Sequence, residues 1–168
     1  MTTWDQRFMS QAQLIARWSK DPSTKCGAVI VNAIRQVLGQ GFNGFPRGVL
    51  DTPERYADRP TKYAMIVHSE ANAILNAKQD VSHCTIYTTK FPCSGCAKLI
   101  IQAGIAEVVC PVQDPSSSSD QRWAEDAEIA RTMLHEARVV IHEIDLRHAQ
   151  GGEIAEVLAA AERDRGES

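Results

Sequence analysis

Across residues 4–18, Trp4, Phe8, Leu14, Ile15 and Trp18 fall roughly on one helical stripe, which the Asp21-Pro22 pair then closes. A first helix is expected there. Residues 26–32 form a short, continuously apolar and β-branched run, and residues 36–43 follow after a turn at 33–35, the pattern of an antiparallel hairpin. Residues 44–66 are rich in Gly, Pro, Asp and Arg without a clear period and are expected to form a long ordered loop, a length at which loops are often functional. Ala and Leu return at helical spacing over 69–77, a strand is expected at 85–88, and a helix over 93–103 stops at Gly104. A strand at 107–110, a polar loop at 115–119, a long helix over 121–137 and a strand at 139–144 complete the pattern. Strand and helix alternate in this half, which predicts parallel pairing. A last amphipathic helix is expected at 153–161, before a polar tail at 162–168 that should fray.

With 168 residues, the chain is long enough to bury a core and suits one domain over 1–168, with 146–168 as terminal helix and tail. No apolar run reaches the length of a membrane span, and the opening Met-Thr-Thr-Trp-Asp has no signal-peptide pattern. Net charge is −3 and the pI about 5.9, which argues against a polynucleotide partner, because phosphate backbones are met by a surplus of Lys and Arg. A mononucleotide needs only a few local cations. Lys25, Arg47 and Lys62 are candidates, with an ordinary solvated charge as the alternative for each. Five cysteines lack the spacing of a disulfide framework and fit a reducing, cytoplasmic setting. Cys26, Cys84 and Cys110, in or beside strands, read as small buried apolar groups.

The specific chemistry lies at His68, Glu70, Pro92, Cys93 and Cys96, which spell H-x-E…P-C-x-x-C, the signature of zinc-dependent nucleobase deaminases. His68 offers a ring nitrogen. Cys93 and Cys96 offer two thiolates from one side of a helix's first turn, where the helix's partial positive charge favours the deprotonated sulfurs. Three protein ligands leave a tetrahedral zinc one position for water, whose pKa then falls from about 15.7 to roughly 7. Glu70 lies two residues past His68, near enough to serve as the proton shuttle without being a ligand. Two other readings stand beside this one: a zinc that only staples the fold, and a redox C-x-x-C pair. A structural site usually closes with four protein ligands, and no fourth Cys or His has matching local spacing; the redox reading lacks a thioredoxin-like βαβ context.

Beyond this signature, the chain resembles the deoxycytidylate (dCMP) deaminases from residue 4 to about residue 144. The resemblance is carried by S-K-D-P-S (19–23) leading into G-A-V-I-V-N (27–32), G-F-N-G-F-P-R-G (41–48), T-K-Y (61–63), H-S-E-A-N-A-I (68–74) and the stretch 91–105 from Phe91 through the C-x-x-C pair. It implies an α/β fold, the cytidine deaminase-like α/β/α sandwich with a five-stranded mixed sheet and the zinc site at two helix starts. It also implies one catalytic zinc per chain and conversion of dCMP to dUMP, which feeds thymidylate synthesis. The implied assembly is a homo-oligomer, a hexamer or dimer, responding to dCTP and dTTP. Asn43 is the leading substrate contact, its amide being both donor and acceptor, and Ser69, Thr24, Lys25 and Lys62 are further candidates. Phe42, Asn43, Gly44 and Phe45 occupy the family's effector segment.

Three positions depart from the family pattern. Phe42 replaces the usual Tyr, Ser69 the usual Ala between His and Glu, and Trp18 a frequent Arg. Ser69 either alters tolerance for a group at carbon 5 of the base or bonds locally as a helix-start residue. Alternative substrates therefore remain: a 5-modified dCMP, a related cytosine nucleoside or nucleotide, or the wobble adenosine of tRNA, which the acidic pI disfavours. A nucleotide-binding regulatory subunit stabilised by zinc is the non-enzyme alternative, which leaves Glu70 without a purpose.

Overall fold

The computed structural model describes residues 3–114 and 116–145, so the helix and tail expected at 153–168 lie outside the described residues. Its elements run α1 (Thr3–Ala16), β1 (Gly27–Val31), β2 (Val37–Phe42), α2 (Pro53–Ala57), α3 (Arg59–Met65), α4 (Ser69–Ala77), β3 (Thr85–Thr88), α5 (Ser94–Gln102), β4 (Glu107–Pro111), α6 (Ser118–Glu136) and β5 (Val140–Ile144). The five strands form one mixed sheet in the order β2-β1-β3-β4-β5. β1 pairs antiparallel with both β2 and β3, whereas β3, β4 and β5 run parallel. The hairpin and the parallel half both follow the sequence pattern.

All five residues of β1 are buried because both faces of the sheet are covered. Val29 and Val31 join Phe8, Met9, Ala12 and Ile15 of α1 on one face. Ala28 and Ile30 point the other way, into a larger core with residues from α4, α5 and α6. The period of two in the strand thus assigns alternate residues to two helical layers. Cys84 and Cys110 are buried as expected. No helix among the described residues is long and apolar enough to cross a membrane.

The segment expected as a loop over 44–66 contains two short helices instead. Each begins with a side-chain cap and an early proline, devices that start a helix without a long apolar stripe. Thr52 accepts from the Arg55 N–H at the start of α2, and Asp58 accepts from the Thr61 N–H at the start of α3. α6 also begins earlier than 121, where the Ser117 side chain caps it by accepting from the Asp120 N–H.

α4 sits directly on β2 through two glycines. A Cβ at Gly39 would stand 2.4 Å from the Ala73 carbonyl oxygen, and one at Gly41 would stand 2.4 Å from the Ala73 nitrogen and 2.5 Å from the Ser69 oxygen. Only a residue without a side chain allows this approach. Gly41→Ala is expected to cost about 1–3 kcal/mol by overpacking, read by urea unfolding, and to weaken metal binding because His68 is the N-cap of α4.

Candidate active site

α4 and α5 each begin at a residue whose side chain does not cap its own helix. His68 is the N-cap of α4 and Cys93 the N-cap of α5, both with extended backbone and no side-chain cap hydrogen bond. Their side chains converge instead. His68 Nδ1 lies 3.3 Å from Cys93 Sγ and 3.4 Å from Cys96 Sγ, and all three atoms lie within 4.8 Å of one another. Zn–N and Zn–S bonds of about 2.0 and 2.3 Å at the tetrahedral angle put nitrogen and sulfur about 3.5 Å apart. The donor set therefore fits zinc. Hydrogen bonding from Cys96 and His68 holds the Cys93 thiol down at about 4, and the bond to Cys93 raises His68 to about 9. The Cys96 thiol is pushed up by its bond to Cys93 and by burial.

Glu70 sits in the first turn of α4, 6% exposed, and burial raises its pKa above the usual carboxylate range. A carboxyl in that condition readily takes up and returns a proton. The buried Ser69 hydroxyl donates to Glu70 Oε2 at 3.0 Å, so it fixes the orientation of the acid beside it.

His68, Ser69, Glu70 and Cys93 line a cavity of about 340 Å³, as do Thr24, Asn43 and Lys62 from the sequence-derived set. Lys25 is exposed and outside the lining. Arg47 is outside it too, donating to Asn76 at 2.9 Å. Lys62 is not the solvated charge that composition allowed. It is buried, its ammonium contacting the two Asp21 carboxylate oxygens at 2.8 and 2.6 Å and donating to the Ser23 hydroxyl. Burial opposes the charged form of Asp21, but the bonds from Lys62 and Ser23 outweigh it and hold the carboxyl below its ordinary value. The Asn43 amide is engaged as well: Oδ1 accepts from the Cys26 N–H at 2.7 Å and Nδ2 donates to the Thr24 carbonyl at 2.9 Å. Asn43 thus ties β2 to the 24–26 segment. Cys26 is half-buried in the cavity wall rather than fully buried, and burial pushes its thiol up to about 12.

The expected effector residues lie outside the cavity lining except for Asn43. Phe42 is exposed and meets Trp18 edge-on at 6.2 Å, Gly44 pairs with Val67 through the backbone, and Phe45 stacks on Tyr56 at 4.4 Å.

Lining residues from α6 and its neighbours were not singled out in the sequence. Tyr63 and Trp123 meet edge-on at 5.8 Å, and Lys90 and Arg122 place two cations in the lining. Lys90 pairs with Asp120 at 3.3 Å, whereas Arg122 has no hydrogen bond or ion pair among the described residues. The i, i+4 spacing of Arg122 and Asp126 was available as a signal, but on a polar helix it looks like any solvated face.

The family described as "Cytidine and deoxycytidylate deaminase zinc-binding region" matches residues 2–112. The chain belongs to this family. Among similar proteins, this deaminase is 43% identical to an "uncharacterized deaminase in luxG 3′ region" of Aliivibrio fischeri, over 84% of this chain and 93% of that one. It is 44% identical to the deoxycytidylate deaminase of Homo sapiens, over 72% of this chain and 71% of the human one. The crystal structure of the cyanophage S-TIM5 dCMP deaminase in complex with dCMP and dUMP has the same fold, with a TM-score of 0.67, 22% identity, and coverage of 86% of this chain and 99% of that one. The deaminase accordingly carries a zinc-binding region, in agreement with its His/Cys/Cys donor set.

Breaking one partner of a buried ion pair leaves an uncompensated charge, so Lys62→Ala is expected to lose about 3–5 kcal/mol of stability at neutral pH. The folded-state pKa of Asp21 lies below the ordinary 3.8, so the pair's contribution is complete above that value and is lost as pH falls through the folded value. Urea unfolding from pH 7 to pH 3 should show the gap between variant and wild type narrowing below about pH 4.

Proposed function

We propose that this deaminase converts dCMP and water to dUMP and ammonia. The observation that carries the reading is a buried, pKa-raised Glu70 beside the His68, Cys93 and Cys96 triad on the wall of a cavity whose lining also holds Lys90 and Arg122. His68 Nδ1 and the two sulfurs are assigned as ligands of one zinc per chain. Zinc in this set supplies Lewis acidity that brings the pKa of a water ligand near neutrality. Glu70 takes a proton from the attacking water and gives it to the ring nitrogen beside the amine-bearing carbon. It then takes the remaining proton from the newly added hydroxyl and delivers it to the departing amine. The new carbon–oxygen bond becomes the uracil carbonyl, the carbon–nitrogen bond breaks, and ammonia leaves. Ser69 keeps the Glu70 carboxyl aimed through this exchange.

In this reading the phosphate is met by Arg122, the lining cation without an internal partner, with Lys90 beside it. Lys62 and Asn43 act from inside the wall, holding the segment with Asp21 and Thr24 in place. Trp123 and Tyr63 flank the sugar or base. Ser69 spends its hydroxyl on Glu70, which favours the local role over selection of a 5-substituent, so unmodified dCMP remains ahead of 5-modified dCMP. The exposed Phe42, next to Gly44 and Phe45 outside the cavity, suits a second subunit or a dCTP or dTTP effector, within a cytoplasmic homo-oligomer, hexamer or dimer, built from single-domain chains.

Ammonia release should be faster from dCMP than from deoxycytidine or 5-methyl-dCMP. Glu70→Ala should keep its zinc while turnover falls about 10²–10⁴-fold, and full activity in that variant would sink the mechanism. Arg122→Ala should raise KM for dCMP roughly tenfold, the equivalent of about 1.4 kcal/mol, with deoxycytidine unaffected. Equal rates on nucleoside and nucleotide would contradict the phosphate assignment.

A further inference from the structure

Cys93 begins α5 with its side chain turned to His68 rather than to its own helix, which leaves the first amides of α5 in need of an outside acceptor. The acceptor comes from α6. The Ser94 N–H donates to Asp126 Oδ2 at 2.8 Å, and the Ser94 hydroxyl donates to Asp126 Oδ1. A carboxylate here also meets the positive end of the helix dipole. Arg131, five residues further along α6, stacks over the Phe91 ring at 4.5 Å and is held by Glu143 of β5 at 2.9 and 3.1 Å. α6 therefore grips the segment carrying Cys93 at two points, one on either side of it in sequence. Asp126 reaches into the same cavity, yet both of its oxygens are engaged by Ser94 and it is not part of the metal-ligating group.

We infer that Asp126 is a positioning residue for the metal centre, supplying from α6 the helix cap that Cys93 relinquishes in order to hold metal. This rests on the zinc reading of the triad. Outer partners that orient ligands alter metal affinity by about 10–100-fold when removed, and a cap bonded to the residue adjoining Cys93 acts on that ligand's position directly.

The test is zinc affinity of the full chain, by competition with a chromophoric chelator, together with the absorption spectrum of the cobalt(II)-substituted protein. Asp126→Ala is expected to bind zinc about 10–100-fold more weakly and to shift the cobalt bands. Asp126→Asn keeps an acceptor for the Ser94 N–H and should lose less. Ala130→Gly, on the same helix and facing the core, controls for stability: it should lower the melting temperature with zinc affinity intact. If Asp126→Ala does not fold, Ser94→Ala removes one of the two bonds and should still weaken zinc measurably. Unchanged zinc affinity in a folded Asp126→Ala or in Ser94→Ala, or a loss matched by Ala130→Gly, overturns the positioning role alone. A wild-type chain that binds no zinc, or keeps it after His68→Ala, overturns the metal reading and this one with it.

Discussion

The amino ends of α4 and α5 come so close that His68 Nδ1 lies 3.3 and 3.4 Å from the sulfurs of Cys93 and Cys96, and much of the surrounding structure serves that approach. Two helix starts pointed at one another would ordinarily repel through their partial positive charges. Here two thiols and a carboxyl, Glu70, gather at the junction, and the N-cap residues give their side chains to it. Gly39 and Gly41 let α4 lie on β2 without intervening side chains. The parallel pairing of β3 with β4 places the start of α5 beyond the carboxyl end of β3, where open α/β sheets collect their ligands.

Around this junction the cavity combines buried polar groups with an acidic chain. A buried ion pair is a costly way to hold a wall, because the desolvation of both charges offsets much of their attraction. The Asp21–Lys62 pair recovers part of that cost through Ser23, the backbone of residues 23 and 24, and the adjoining Asn43 amide. What it gains is definition: α3, the 19–26 segment and the end of β2 meet at one node. Of the other charged groups in the lining, Glu70 lies deep inside, Lys90 is paired with Asp120, Asp126 is held by Ser94, and Arg122 stands without such a partner among the described residues.

The legibility of this site in the sequence depended on how local each signal was. His68, Glu70, Cys93 and Cys96 were readable because metal geometry forces short, fixed spacings onto chemically unusual residues. The sheet was readable for a similar reason: β-branched runs covered on both faces leave no polar gap. Thr52-Pro53 and Asp58 with Pro60 did announce α2 and α3, but helices of 5 and 7 residues have too little apolar periodicity to stand out from a Gly- and Pro-rich background. Lys62 and Asn43 line the cavity, yet their partners lie 17 to 41 residues away, and no local pattern reveals that their polar atoms are already engaged. Arg122, Trp123 and Asp126 went unnoticed because a residue turned toward a cavity and one turned toward solvent look alike on a polar helix.

Zinc K-edge X-ray absorption of the purified protein tests the central arrangement most directly, because it reports the metal's neighbours without reference to substrate. The expected spectrum has two sulfurs near 2.3 Å, one imidazole nitrogen near 2.0 Å and a fourth light atom from solvent, in about those distances. A closed shell of four protein ligands, or a shell with fewer than two sulfurs, would contradict it.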